Sequence, residues 1–366
     1  MKIISKKDNS ETQISMKDQI KKFLNSLYGF DTIILLGLGR RLGIFNYLYE
    51  KSTSSPTSEK DKVVIFFPDE LTKNLNLDAN YLDAWLHLAL ECEIFETENV
   101  EEKSLKTCPY IYDLLINSSH PSYIGGTLGA FYYIAVYQDT MLKNFKTGEP
   151  MNLLQFPEEI ARDLQERGKR FGMLIERLFL KKFETFCSDL TNQGRILDVG
   201  CGFGYNLETW AKQFDNARFV GIDIDPMAVV NAKKLVEQNG WGERVNILES
   251  TVNKFTRATN NRFDLIILNQ VFHEMDQDEK YRKQIFEDLY SLLKDDGILL
   301  VGENMIADTF APRKKFQLFP ITHKFFEAGS ARFYDKQTFQ DFIDSTPFTR
   351  AQYIEEKGTY FWAVQK

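Results

Sequence analysis

The sequence predicts an α/β fold built on a mainly parallel seven-stranded sheet, preceded by a mainly helical N-terminal domain. Three observations carry this. From residue 194 onward, apolar strand patterns alternate with helix patterns, and such alternation gives a parallel sheet covered on both faces. Residues 196–204 read I-L-D-V-G-C-G-F-G, a buried strand running into a glycine turn, and a helix pattern follows. The last two apolar runs, F-T-R-A-Q-Y-I and Y-F-W-A-V, have no helix between them, so the final strand is expected to be antiparallel.

The 366 residues exceed one typical core, so two domains are expected. The chain is 43% hydrophobic and 27% charged, an ordinary globular balance, but its 30 Phe and 16 Tyr imply large aromatic cores. A net charge of −7 disfavours nucleic acid as the main partner. Cys92, Cys108, Cys187 and Cys201 form no C-x-x-C and suggest neither disulfides nor zinc. The N-terminus lacks an apolar signal core, and the run I-I-L-L-G-L-G at 33–39 is too short to span a bilayer. No membrane span and a cytoplasmic location are therefore expected.

Taken in order, residues 1–15 read as a disordered tail. A domain over 16–110 begins with apolar residues at helical spacing, Ile20, Phe23, Leu24 and Leu27 and then Ile33 to Leu48. A polar loop at 51–62 leads to a strand V-V-I-F-F. Two helix patterns follow, D-E-L-T-K-N-L and A-N-Y-L-D-A-W-L-H-L-A-L-E-C-E, then a hairpin returning near Leu105. Helix, helix and hairpin make a winged-helix arrangement. Its second helix is apolar and acidic, built to pack against protein and not to enter a DNA groove. Residues 111–190 are helical and aromatic, with Tyr123, Phe131, Tyr132, Tyr133 and Tyr137 clustered; periodicity favours core packing over a substrate box. The domain 191–366 holds the strands R-I-L-D-V, A-R-F-V-G-I-D, R-V-N-I-L-E, F-D-L-I-I-L-N and G-I-L-L-V-G-E, then the terminal pair. Ligands of such sheets bind at the carboxyl ends of the strands.

The glycine turn is a platform where bare backbone can approach a ligand closely. Its glycines are Gly200, Gly202 and Gly204, with Asp198 in the strand before them, and Asp223 ends the next strand. A carboxylate there can accept hydrogen bonds from two ribose hydroxyls. The dinucleotide fingerprint G-x-G-x-x-G would need its third glycine where Tyr205 stands. Asp225, before Pro226, reads as a helix N-cap.

The D-x-G-x-G-x-G run resembles motif I of the class I S-adenosylmethionine (SAM) dependent methyltransferases. The resemblance implies a Rossmann-like seven-stranded methyltransferase sheet with SAM as cofactor. It implies Asp198, Gly200, Gly202, Gly204 and Asp223 as cofactor-binding residues, with Asn269 and Thr251 beside them. Relatives carry an acid after the third strand; here Ser250 and Thr251 fall there. The string N-Q-V-F-H-E-M-D-Q-D-E after the fourth strand is similar to the W-x-x-H-D-W-x-D-E of plant-type O-methyltransferases, which places His273 as the catalytic base. Glu303 ends the fifth strand where the same family has a glutamate flanking that base. A second flanking glutamate does not align. His323, in I-T-H-K-F-F, falls in a segment that covers the substrate in relatives, whereas His87 reads as core or interface and His120 as part of a turn. No cluster has metal-ligand spacing. The strings G-R-R-L-G-I-F-N-Y-L and N-Y-L-D-A-W-L-H-L-A-L-E-C-E-I-F resemble the N-terminal dimerisation domain of small-molecule O-methyltransferases, implying a homodimer. The expected activity is methyl transfer to a small aromatic or apolar molecule, most readily at a hydroxyl. The rivals are a C- or N-methyltransferase of the same fold and a non-catalytic SAM-binding or winged-helix regulator.

Overall fold

The computed structural model describes residues 14–53, 63–118, 120, 122–311 and 318–366. The expected tail falls almost wholly outside them, as does most of the polar loop. The chain forms two compact units, Met1–Tyr123 and Ile124–Lys366.

In the first unit, α1 (Met16–Arg41) starts at a capping box between Ser15 and Asp18 and is followed by α2 (Ile44–Thr53). After β1 (Ile65–Phe66) come α3 (Pro68–Leu75) and α4 (Ala79–Glu91), the latter capped by Asp78. The hairpin is β2 (Phe95–Asn99) and β3 (Ser104–Thr107), in a sheet ordered β1-β3-β2. A short π-helical turn, Tyr112–Ile116, follows. Aromatic rings make the core, with Phe95 against Phe45, Phe66 and Trp85. The Trp85 indole donates to the Leu35 carbonyl at 3.2 Å, which satisfies its one polar atom inside the core. The N-terminal half of α1 is different. Ile20, Phe23, Leu24, Leu27 and Phe30 are all exposed, an apolar stripe left uncovered among the described residues.

The second unit opens with α5 (Gly125–Val136), α6 (Gln138–Thr147), α7 (Glu158–Lys182) and α8 (Glu184–Gln193). Tyr132, Tyr133 and Tyr137 pack with Met141, Phe156 and Phe326, so this aromatic segment is largely core, as its periodicity suggests. Alternation then runs β4 (Arg195–Val199), α9 (Tyr205–Gln213), β5 (Arg218–Asp223), α10 (Pro226–Gln238), β6 (Val245–Glu249), α11 (Val252–Ala258), β7 (Phe263–Asn269), α12 (Glu279–Leu292) and β8 (Leu293–Gly302). After α13 (Leu318–Phe326) and α14 (Lys336–Asp344) come β9 (Arg350–Glu356) and β10 (Thr359–Gln365). The seven-stranded sheet is ordered β6-β5-β4-β7-β8-β10-β9. The first five strands pair in parallel, and β10 lies antiparallel between β8 and β9. Successive strand residues serve opposite faces. Ile196, Leu265, Ile267 and Leu300 join Phe179, Trp210 and Phe214 on one side. Leu197, Ile266, Leu268 and Val301 join Phe286, Phe339 and Phe342 on the other. Both faces are thereby dry, and the polar ends of the strands are left to build a site.

Candidate active site

The cradle forms at the carboxyl ends of β4, β5 and β7. Gly200, Gly202 and Gly204 all take positive φ, at 66°, 52° and 83°, a region in which only glycine sits without strain. A Cβ at Gly200 would collide with Val271, and one at Gly202 with the carboxamide of Gln165 on α7. The turn is braced to its neighbour. The Gly200 and Cys201 amides donate to the Ile222 carbonyl at 2.8 and 3.1 Å, and the Gly202 amide donates to Asp223 Oδ2 at 2.8 Å. Three consecutive donors that a pyrophosphate would require are thus already engaged, which suits a ligand without phosphate.

Asp223 also accepts from the Asp225 amide at 2.9 Å, and Asp225 caps α10 by accepting from Met227. The N-cap reading of Asp225 therefore holds. Burial raises the Asp223 carboxyl despite these backbone donors. Asp198 is fully buried, and burial pushes its carboxyl up to about 7, against a weak opposing bond from Asn206. Its Oδ1 accepts from Asn206 at 3.3 Å, whereas its Oδ2 has no hydrogen-bond partner among the described residues. Asn269 Oδ1, on the adjacent strand β7, is likewise buried without one. Two orphaned acceptors at one strand edge require a donor, and the ammonium of a methionine moiety is such a donor. Thr251 is differently employed: its hydroxyl accepts from Lys254 N at 3.2 Å as the N-cap of α11. The cap accounts for its position, and no adenine contact follows from it.

Next to the cradle, β7 ends in a sharp turn. Gln270 adopts φ 56°, a left-handed conformation rare for a side chain of its size, and its side chain donates to the Gly302 carbonyl at 3.0 Å. This turn swings residues 271–273 over Glu303. The Glu303 Oε1 accepts from the Val271 and Phe272 amides at 2.9 and 2.6 Å, and its Oε2 lies 2.7 Å from His273 Nδ1. The structure thus brings together the two residues that the sequence spacing paired. Phe333 stacks on the imidazole with centroids 4.9 Å apart. Below the loop, wholly buried Arg282 donates to the Asp276 and Met275 carbonyls at 3.0 and 2.9 Å, and its guanidinium lies over Phe272. Neither Phe333 nor Arg282 carried a signal in the sequence.

The second glutamate that did not align is Glu327, just past α13. Its Oε2 lies 3.4 Å from His273 Nε2, an ion-pair distance without hydrogen-bond geometry, and neither atom has a hydrogen-bond partner among the described residues. Its Oε1 lies 2.7 Å from His323 Nε2. Asn304 donates to His323 Nδ1 at 3.2 Å, which fixes the proton on Nε2. His323, a substrate-segment candidate by sequence, is therefore part of the site. Burial opposes charge on His273, but Glu303 and then Glu327 and Glu274 outweigh it and hold the imidazole well above 6.5. Burial lowers His323. Burial raises Glu327, but the two histidines beside it outweigh this and hold it down at about 2. Glu274 is raised by its enclosure and by Glu327, an effect that its 44% exposed side chain tempers. No metal spacing is legible in the sequence, yet His273, Glu274, His323 and Glu327 bring one donor atom each within 4.8 Å of one another.

The sheet order and the glycine cradle are those of the class I methyltransferase fold. Residues 197–299 match the family model described as a methyltransferase domain. By sequence, the chain is similar to malonyl-[acyl-carrier protein] O-methyltransferase 1 of Ilyobacter polytropus, 28% identical over 144 residues. That alignment covers 39% of this chain and about half, 48%, of the relative. Human N-acetylserotonin methyltransferase in complex with SAM shares the fold at TM-score 0.67 and 17% identity, over 96% of this chain and 99% of that one. The mitomycin 7-O-methyltransferase MmcR does so at TM-score 0.63 and 14% identity, over 96% and 98%.

Proposed function

We propose that this chain transfers a methyl group from SAM to a hydroxyl of a small aromatic or apolar acceptor, with His273 as general base. One observation carries the reading. His273 gives its Nδ1–H to Glu303, which leaves Nε2 buried, unbonded and facing outward from the dyad. SAM supplies an activated methyl group on its sulfonium. Asp198 and Asn269 hold its ammonium, Asp223 its ribose, and the bare glycines admit its backbone-hugging chain. His273 Nε2 takes the acceptor proton, and Glu303 orients the ring and stabilises the imidazolium. A positive charge brought into the cradle lowers the His273 pKa, which readies it as a base.

His273→Ala should cut turnover by about 100-fold or more while leaving SAM affinity unchanged. A small loss would favour transfer to carbon or nitrogen, with His273 only positioning. The exposed stripe on α1 supports a homodimer through the N-terminal unit, whose helix–helix–hairpin order is that of a winged helix. Its α4 contains no Lys or Arg, which counts against a DNA-binding regulator. No described helix is long and apolar enough to cross a membrane, which agrees with a cytoplasmic enzyme.

A further inference from the structure

We propose that His323, set by Gln270 and Asn304, is a positioning residue that ties Glu327 back from His273 Nε2 and so keeps the base open to an acceptor hydroxyl. The proposal rests on the reading of His273 as the base, but not on the identity of the acceptor.

A backbone carbonyl, which can only accept, sets the order. The Gly302 carbonyl accepts from Gln270 Nε2 at 3.0 Å, so the Gln270 amide has one orientation. Its Oε1 then faces Asn304 and accepts from Asn304 Nδ2 at 3.0 Å. The second Nδ2 hydrogen of Asn304 goes to His323 Nδ1 at 3.2 Å, and its Oδ1 accepts from the Tyr360 hydroxyl at 3.1 Å. Reversing Asn304 would set its oxygen against Gln270 Oε1. Reversing Gln270 as well would set an oxygen against the Gly302 carbonyl. His323 Nδ1 is therefore a lone pair, and Nε2 carries the hydrogen. That hydrogen goes to Glu327 Oε1 at 2.7 Å. Gln270 stands at the head of this chain of amides with its left-handed φ of 56°, backbone strain of the kind that collects at functional sites.

The far end of the chain is the neighbour of the base. Glu327 Oε2 lies 3.4 Å from His273 Nε2, and neither atom has a hydrogen-bond partner among the described residues. A carboxylate free to move would close on a charged N–H to about 2.7–2.9 Å. Here its other oxygen is held by His323, four residues back on α13. Glu327 thus acts on His273 by charge alone and leaves Nε2 room to meet a hydroxyl. His323 suits this duty because it stays neutral. Burial opposes its charge and, with Arg167 on α7 and His273, outweighs Glu327. Glu303, at the end of β8, and Glu274, after β7, act on His273 as well.

No acceptor is needed for the test. The full chain, ¹⁵N-labelled at histidine and free of SAM, is titrated between about pH 5 and 9 and followed by long-range ¹H–¹⁵N spectra. His323 should show the Nε2–H tautomer and titrate below its ordinary value. His323→Leu cuts the tie, Glu327 closes on His273 Nε2, and the His273 titration should move up by about one pH unit. His323→Gln keeps an N–H for Glu327 and should restore the wild-type titration of His273. Asn304→Asp puts an acceptor against His323 Nδ1, so His323 should titrate higher than in the wild type. Circular dichroism checks that each variant is folded. The proposal is overturned if wild-type His323 carries its proton on Nδ1, or if the Leu and Gln variants shift His273 equally or not at all. Failure of the base would show in the turnover of His273→Ala, whereas failure of the tie shows in these spectra without turnover.

Discussion

Glu303→Gln isolates one charge and leaves the shape of the site intact. The glutamine oxygen can still accept from the Val271 and Phe272 amides, which now bond Glu303 at 2.9 and 2.6 Å. Its amide nitrogen then faces His273 Nδ1 and donates, so the neutral imidazole must carry its proton on Nε2. What is lost is a charge-assisted hydrogen bond in a buried setting, about 1.5–3 kcal/mol. At about 1.36 kcal/mol per unit, the His273 pKa should fall by roughly 1–2 units. The folded-state pKa of His273 lies above the ordinary 6.5. Its stabilising contribution is therefore whole below that unfolded-state value and fades as pH rises through the folded one. The variant should lose more stability at pH 6 than at alkaline pH. The chain has four histidines, so long-range ¹H–¹⁵N spectra of ¹⁵N-histidine-labelled protein can follow each ring. Expected are a downward shift of the His273 titration and a switch of its neutral tautomer from Nδ1–H to Nε2–H. An unshifted titration with the tautomer unchanged would refute the proposed dyad.

Other outcomes can be checked alongside. Asp198 titrates near 7 before ligand binds, and an ammonium pairs with its ionised form. SAM affinity should thus rise with pH up to about neutrality and then level off, with calorimetry in buffers of different ionisation heat showing proton release on binding; Asp198→Asn should abolish this dependence. Gly200→Ala places a side chain at φ 66° against Val271, a strain of about 1–3 kcal/mol, so SAM binding and melting temperature should both drop. Gly168→Ala, in open space on helix α7, should be neutral or raise the melting temperature slightly, since alanine is favoured by about 0.5–1 kcal/mol in a helix interior. Arg282→Met strips the donors from the loop carrying His273, and breaking such a buried cationic network costs about 3–5 kcal/mol; chemical denaturation should show the loss.

The sheet was readable because each strand is an apolar run bounded by turn residues, and the cradle because glycine spacing and Asp223 encode a backbone path. Residues His273 and Glu303 were readable because both stand at fixed offsets from strand ends. What escaped were groups brought in by tertiary packing. Glu327 sits 24 residues beyond Glu303, just past α13, and no local pattern ties it to His273. Arg282 looks like any charged position on an amphipathic helix; its burial under Phe272 and Tyr334 arises only when α12 docks. Thr251 stays ambiguous in the sequence, because a helix cap and a ligand contact can use the same hydroxyl at the same strand end.

Strand β10 lies between two strands that both precede it in the chain. While a ribosome is still making residues 359–365, β8 has one bare margin and β9 has nothing to join. Closure of the sheet must wait for synthesis of its penultimate slat, so the nascent chain carries two sticky borders until then. Chaperone demand should concentrate in that interval, and a premature stop ahead of Thr359 should yield aggregates instead of a shortened enzyme.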